Sequence, residues 1–218
     1  MTTGVKGYGE NGKEKKEGSF KAIFIGITTF LTVIGLTICI TFLILRPTKP
    51  TFTLHNAAIM NLNLDEKLPT LLTTTLQVML FSRNPNHRVG IFYDELNVYA
   101  VYKDQQITMP TVKPASDYQG TRDMTVWSPY LYGVKIPIDP HLAAELGSEE
   151  MSGFLNLRVK IDGKLRWKVG RWRSGHYHIN VDCPALFRYY YAKPPQGRSG
   201  RISPEIRFQQ ISKCHVDV

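Results

Sequence analysis

The chain has 218 residues, of which 43% are hydrophobic, and 27 Lys and Arg against 18 Asp and Glu give a formal net charge of +9. This composition excludes a disordered or fibrous protein, and the length allows one ordinary domain with an appendage.

Residues 1–21 are rich in Gly, Lys and Glu and poor in large apolar groups, so a disordered tail is expected there. Residues 22–45 (AIFIGITTFLTVIGLTICITFLIL) carry no charge. As a helix they extend about 36 Å, more than the roughly 20 apolar residues a bilayer core requires. They are apolar on every face, unlike a buried helix of a soluble domain. No small-x-small cleavage site precedes Arg46-Pro47, so the run reads as an uncleaved signal anchor. Lys6, Lys13, Lys15, Lys16 and Lys21 precede it, whereas only Arg46 and Lys49 closely follow. The positive-inside bias places the N-terminus in the cytosol and residues 46–218 outside or in a lumen, a single-pass type II arrangement.

Residues 46–218 read as strands. Phe52, Leu54, Ala58, Met60, Leu62 and Leu64 share one parity, and Thr51, Thr53, His55, Asn61 and Asn63 the other. Leu72 to Leu80 and Leu96 to Tyr102 repeat the pattern, and Asn84-Pro85-Asn86 breaks the chain between them. Further strands are expected at 107–111, 120–127, 154–161, 165–172 and 176–181. A short helix is expected from Asp139-Pro140 to Leu146, closed by Gly147. Residues 186–204 read as a long basic loop. Seven or eight short strands with turns between them predict an all-β antiparallel sandwich.

A hairpin is expected at Ile161-Asp162-Gly163, with Gly163 left-handed. Its odd positions Leu155, Leu157, Val159, Leu165, Trp167 and Val169 are apolar; its even positions Arg158, Lys160, Lys164, Arg166 and Lys168 are basic. That register sets Lys160 opposite Lys164 and Arg158 opposite Arg166, a one-sided basic stripe with repelling neighbours. It is either a solvated sheet face or a docking surface for an anionic polysaccharide, a lipid surface or an acidic protein. No aromatic-interleaved motif supports nucleic acid.

No phosphate loop, His-Glu-x-x-His or Gly-x-Ser-x-Gly motif is present, so no enzyme, cofactor or metal site is expected. His176 and His178 share a strand face without further ligands, and Cys214-His215 has no orienting carboxylate. Cys39 lies inside the apolar run. Cys183 and Cys214 fall in the non-cytosolic part, where a bridge between them persists; two separate thiols are the alternative.

Asn84-Pro85-Asn86 followed by Val89-Gly90-Ile91-Phe92-Tyr93-Asp94 resembles the signature of plant NDR/HIN-like membrane proteins, which carry a late-embryogenesis-abundant (LEA) type-2 domain. Arg46-Pro47, Tyr118-Gln119, Tyr132-Gly133-Val134, Trp167-Lys168-Val169-Gly170, Asp182-Cys183-Pro184 and Cys214-His215-Val216 follow the family's order, although Ala115 to Gly120 departs from its usual Phe-Tyr-Gln. The resemblance implies a fibronectin- or immunoglobulin-like sandwich at the plasma membrane, with roles in defence or stress. It also implies that the chain is a non-enzymatic interaction protein whose partners are other membrane proteins, itself or acidic cell-wall polysaccharide. A lipid-binding or membrane-tethering module is the alternative. Asn84-Pro85-Asn86 is then a strand-joining loop or a recognition tip, and Asp94 marks a bulge or a carboxylate bonded to turn amides.

Overall fold

The computed structural model describes the backbone of residues 11–45, 47–113, 117–190 and 205–218. A single helix, α1 (Asn11–Leu45), takes in both the apolar run and residues 11–21 of the polar tail. Its apolar side chains from Ile23 to Ile40 are exposed on all faces. Thr28 donates to the Phe24 carbonyl at 3.0 Å and Thr37 to that of Val33 at 2.9 Å, so these hydroxyls need no water.

Pro47–Val218 is a separate compact unit. It contains β1 (Thr51–Leu64), β2 (Leu71–Arg83), β3 (Gly90–Tyr102), β4 (Gln105–Gln106), β5 (Thr111–Lys113), β6 (Asp117–Gln119), β7 (Met124–Trp127) and β8 (Tyr130–Pro137). Then follow α2 (Pro140–Ser152), β9 (Phe154–Val169), β10 (Trp172–Arg173), β11 (Tyr177–Tyr190), β12 (Glu205–Phe208), β13 (Ser212–Lys213) and β14 (His215–Asp217). All pairings are antiparallel. One sheet runs β13-β1-β2-β7, with β8 also on β2; the other runs β12-β11-β9-β3-β4, with β10 on β9, β14 on β11, and β5 and β6 on β3. Leu54, Leu72, Leu76 and Leu80 of the first sheet and Ile91, Leu155, Leu165 and Phe187 of the second are fully buried in one core. Each such side chain stabilises the fold by about 1.5–3 kcal/mol. The Tyr93 ring lies 6.3 Å from Phe52 and 5.5 Å from Trp127, so aromatic rings fill the space between the sheets.

The antiparallel sandwich agrees with the strand parity, but four local readings are corrected. Bulges between Leu54 and Asn56 and between Ile59 and Asn61 reset the parity of β1 twice. They turn Ala57 inward and leave Met60 exposed, where strict alternation had Ala58 and Met60 inside.

No hairpin forms at Ile161-Asp162-Gly163, because β9 passes straight through. An unbroken strand also keeps odd residues on one face. It is held on both sides, Ile161 opposite Val98 of β3 and Val181 of β11. Gly163 is not left-handed. A Cβ there would sit 2.0 Å from the Glu95 carbonyl oxygen, so glycine answers a close approach by β3 and not a turn. Lys160 is therefore opposite Tyr99 and Asp182, and Lys164 opposite Glu95 and His178, so the expected facing of Lys160 with Lys164 and of Arg158 with Arg166 does not occur.

Helix α2 continues through Gly147 and ends at Gly153, φ 82°, whose N–H bonds the Glu149 carbonyl. The start matches: Asp139 caps the helix by accepting from the His141 amide at 2.8 Å, with Pro140 first in line. Of the expected basic loop, Leu186 to Tyr190 belong to β11, and 191–204 lie outside the described residues.

Candidate functional site

The loop after β2 is built around two buried asparagines. The Asn84 amide donates to the carbonyls of Val89 and Gly120, both at 2.8 Å, and its oxygen accepts from the Asn86 backbone N–H at 3.0 Å. Asn86 turns the other way. Its side-chain oxygen accepts from the Thr48 N–H and its amide donates to the Thr48 carbonyl, both at 2.7 Å. Thr48 thus receives a peptide-like pair of bonds from a side chain, and half-buried Pro85 holds the two asparagines at this spacing. The motif fastens the beginning of the domain to the loops 84–90 and 120–123.

Gln119 continues the same network inward. Its amide donates to the Ser82 carbonyl at 2.8 Å, and its oxygen accepts from the Tyr93 hydroxyl at 3.1 Å. That hydroxyl lies 3.0 Å from Ser82 Oγ. Burial pushes the Tyr93 phenol well above its ordinary range, so it remains a protonated donor. Asn84, Asn86, Tyr93 and Gln119 therefore form a structural polar core, and Ser82 and Thr48 belong to it although no sequence pattern marks them.

Asp94 sits at the β3 bulge, where the register shifts between Tyr93 and Glu95. Its carboxylate bonds the Arg166 guanidinium through both oxygens, Nε to Oδ2 at 2.8 Å, and His176 Nε2 lies 3.5 Å away. The partner is thus a guanidinium, not turn amides. Beside it, Phe92 and exposed Tyr118 pack with centroids 4.8 Å apart. Lys168 Nζ stands 4.5 Å from the Tyr118 centroid, and the Arg173 guanidinium 4.3 Å from that of Phe92.

The five bases of the stripe share one face of β9 in different states. Arg158 pairs with Asp104 and, at 3.4 Å, with Asp182. Arg166 is held by Asp94. Lys160, Lys164 and Lys168 make no ion pair among the described residues. Cys183, fully buried in β11, is bridged to Cys214 at the point where the chain passes from β13 in one sheet to β14 in the other. The bridge ties the last strands across the sandwich. Among the described residues, no three His, Cys, Asp or Glu side chains converge as metal ligands.

Residues 165–172 hide one feature that parity does not reveal. Gly170, φ 58°, starts a two-residue turn with Arg171, setting Trp172 opposite Val169 and Arg173 opposite Lys168. The glycine was the available signal, but the apolar-basic alternation ran past it.

Residues 80–183 match the model of a late embryogenesis abundant protein family, LEA_2. The chain is 42% identical over 180 residues to NDR1/HIN1-like protein 1 of Arabidopsis thaliana, covering 83% of this chain and 86% of that one. It is 40% identical to NDR1/HIN1-like protein 12 over the full length of both, and 39% identical to NDR1/HIN1-like protein 26 over 78% and 79% of the two chains, both from the same plant.

Proposed function

The chain belongs to the NDR1/HIN1-like family, and on that footing we propose that it is a membrane-anchored, non-enzymatic interaction protein of the plant plasma membrane, acting in defence or stress response. The observation that carries the reading is a helix with exposed apolar side chains all round from Ile23 to Ile40, followed directly by a compact β-sandwich. Lipid is the solvent that suits such a helix. The lysines before it favour a cytosolic N-terminus, and the Cys183–Cys214 bridge favours a non-cytosolic domain.

A non-catalytic role is supported by what the buried polar side chains do: Asn84, Asn86 and Gln119 spend their amides on backbone carbonyls. Partners are then met on the surface: other membrane proteins, a second copy of the chain, or acidic cell-wall polysaccharide. For the last of these, Lys160, Lys164 and Lys168 are the bases of the β9 stripe left open to an anion. A lipid held between the sheets is the less favoured alternative. Between the sheets the Phe52, Tyr93 and Trp127 rings pack against one another and Leu76, Ile91 and Phe187 are fully buried, so that space is filled by the protein's own side chains, whereas small-molecule sites occupy about 300–1,000 Å³.

The test is fractionation and complementation in plant cells. The intact chain is expected to stay with membranes through alkaline carbonate washing and to restore the resistance or stress phenotype of a line lacking it. A chain with 22–45 replaced by a cleavable secretion signal is expected to be soluble and to fail. Full rescue by the soluble form would overturn the anchored reading.

A further inference from the structure

Several loops meet where the domain begins. Asn86 clamps Thr48, and its carbonyl accepts from the Arg122 N–H at 3.1 Å, which brings in the 120–123 turn. Gly90 is opposite Lys168, so the Gly170-Arg171 turn rises beside Arg88 and Val89. Segments 83–90, 120–124 and 168–175 thus share one end of the sandwich. Together they hold six Arg and Lys and a single acid, Asp123.

The six are Arg83, Arg88, Arg122, Lys168, Arg171 and Arg173. None makes an ion pair among the described residues, and all except half-buried Lys168 are exposed. Lys168 and Arg173 are already posed on the Tyr118 and Phe92 rings, so little side-chain freedom is lost when they meet an anion. Among these cations stands Trp172, 64% exposed, whereas Trp127 and Trp167 are 6% and 5% exposed.

A large indole left in water amid unpaired cations fits one environment well. Tryptophan partitions to the headgroup layer of a bilayer, and bases within a Debye length of anionic headgroups in the leaflet they face are drawn to those headgroups. The chain itself limits the distance. Thr48 is three residues past Leu45, the end of the apolar run, and three residues extend at most about 11 Å. That is close to the Debye length of about 8 Å at physiological ionic strength.

We propose that this basic end of the domain docks on an anionic lipid surface, with Trp172 in the headgroup layer. The proposal rests on the membrane-anchored reading. Docking would occupy Lys168 and leave the far end of the sandwich, with Lys160 and Lys164 of β9, for partners.

The test uses the full chain in nanodiscs of zwitterionic lipid alone or mixed with phosphatidylserine, with a quencher on the headgroup or the first acyl carbons. Because the other two tryptophans are buried, quenching reports Trp172, and Trp172→Phe should abolish it. The expected result is quenching in anionic discs only, lost in molar salt, where the Debye length is about 3 Å. Arg88→Glu and Arg171→Glu reverse exposed bases that make no side-chain hydrogen bond, ion pair or ring contact among the described residues. Each should weaken docking at least about fivefold, and so shift its salt release to lower concentration. Equal quenching in both discs, or none in either, overturns the proposal. So does Trp172 protection by polygalacturonate without lipid quenching, which assigns the surface to polysaccharide. Release of the chain from discs at alkaline pH overturns the anchor reading and this proposal together; retention without quenching overturns the docking alone.

Discussion

Replacing Asn84 by alanine tests whether the Asn-Pro-Asn loop is the structural fastening that its bonds suggest. The substitution strands the Val89 carbonyl and the Asn86 N–H, both buried, and the Gly120 carbonyl, which is only partly so. A buried group left unsatisfied costs about 1–3 kcal/mol, and water reaching Gly120 holds its share at the low end. The total is about 3–5 kcal/mol, a large part of the roughly 5–15 kcal/mol that stabilises a domain. At about 2–4 °C per kcal/mol for a domain of this size, the unfolding midpoint should fall by about 10 °C. Urea and thermal unfolding followed by Trp127 and Trp167 fluorescence measure it. Asn63→Ala, at an exposed position on β1, is the control and should cost under about 0.5 kcal/mol. A loss below about 1 kcal/mol for Asn84→Ala would refute the fastening and return the loop to a recognition role.

Two glycines give opposite expectations in the same assay. Gly163→Ala should destabilise by several kcal/mol, because its Cβ would lie 2.0 Å from the Glu95 carbonyl oxygen. Gly147→Ala, with nothing within 4 Å inside α2, should stabilise by about 0.5–1 kcal/mol. Cys214→Ser removes a cross-link of sequence separation 31 and should cost about 3–4 kcal/mol in the chain-entropy account, read as a lower urea midpoint than that of oxidised wild type and a midpoint close to that of reduced wild type. The Lys49 ammonium, 3.1 Å away, is the main cause holding the Asp217 carboxyl below its ordinary 3.8. Its contribution is therefore complete above that value and lost as pH falls through the lower folded value. The protection of β14 amides, taken relative to their intrinsic exchange rate at each pH, should fall on acidification over that window in the wild type and already be lower at neutral pH in Lys49→Ala.

Much of the architecture was legible because β-sheets write their faces into alternate residues. The parity of Leu72 to Leu80 and Leu96 to Tyr102, and Asp139-Pro140 as a helix start, map directly onto β2, β3 and α2. What failed was local. Asp162-Gly163 carries turn chemistry, but whether it turns depends on β3 and β11 lying against both edges of β9, which no local pattern encodes. Bulges in β1 reset a parity that looked continuous, since Ala57 and Ala58 are alike in sequence and differ only in facing. The charge of the basic stripe was visible, but not the carboxylates of Asp94 on β3, Asp182 on β11 and Asp104 in the turn after β3 that approach Arg166 and Arg158. The basic end with Trp172 was hidden for the same reason: segments 83–90, 120–124 and 168–175 meet only in the folded sandwich.

The central claim, a sandwich held outside the cytosol by one span, is tested most directly by protease protection on intact plant cells carrying separate tags at Met1 and Val218. External protease is expected to remove only the Val218 tag, with the Met1 tag cut after the membrane is opened. Cleavage of the Met1 tag on intact cells, or protection of both tags until the membrane is opened, would contradict a type II protein of the cell surface.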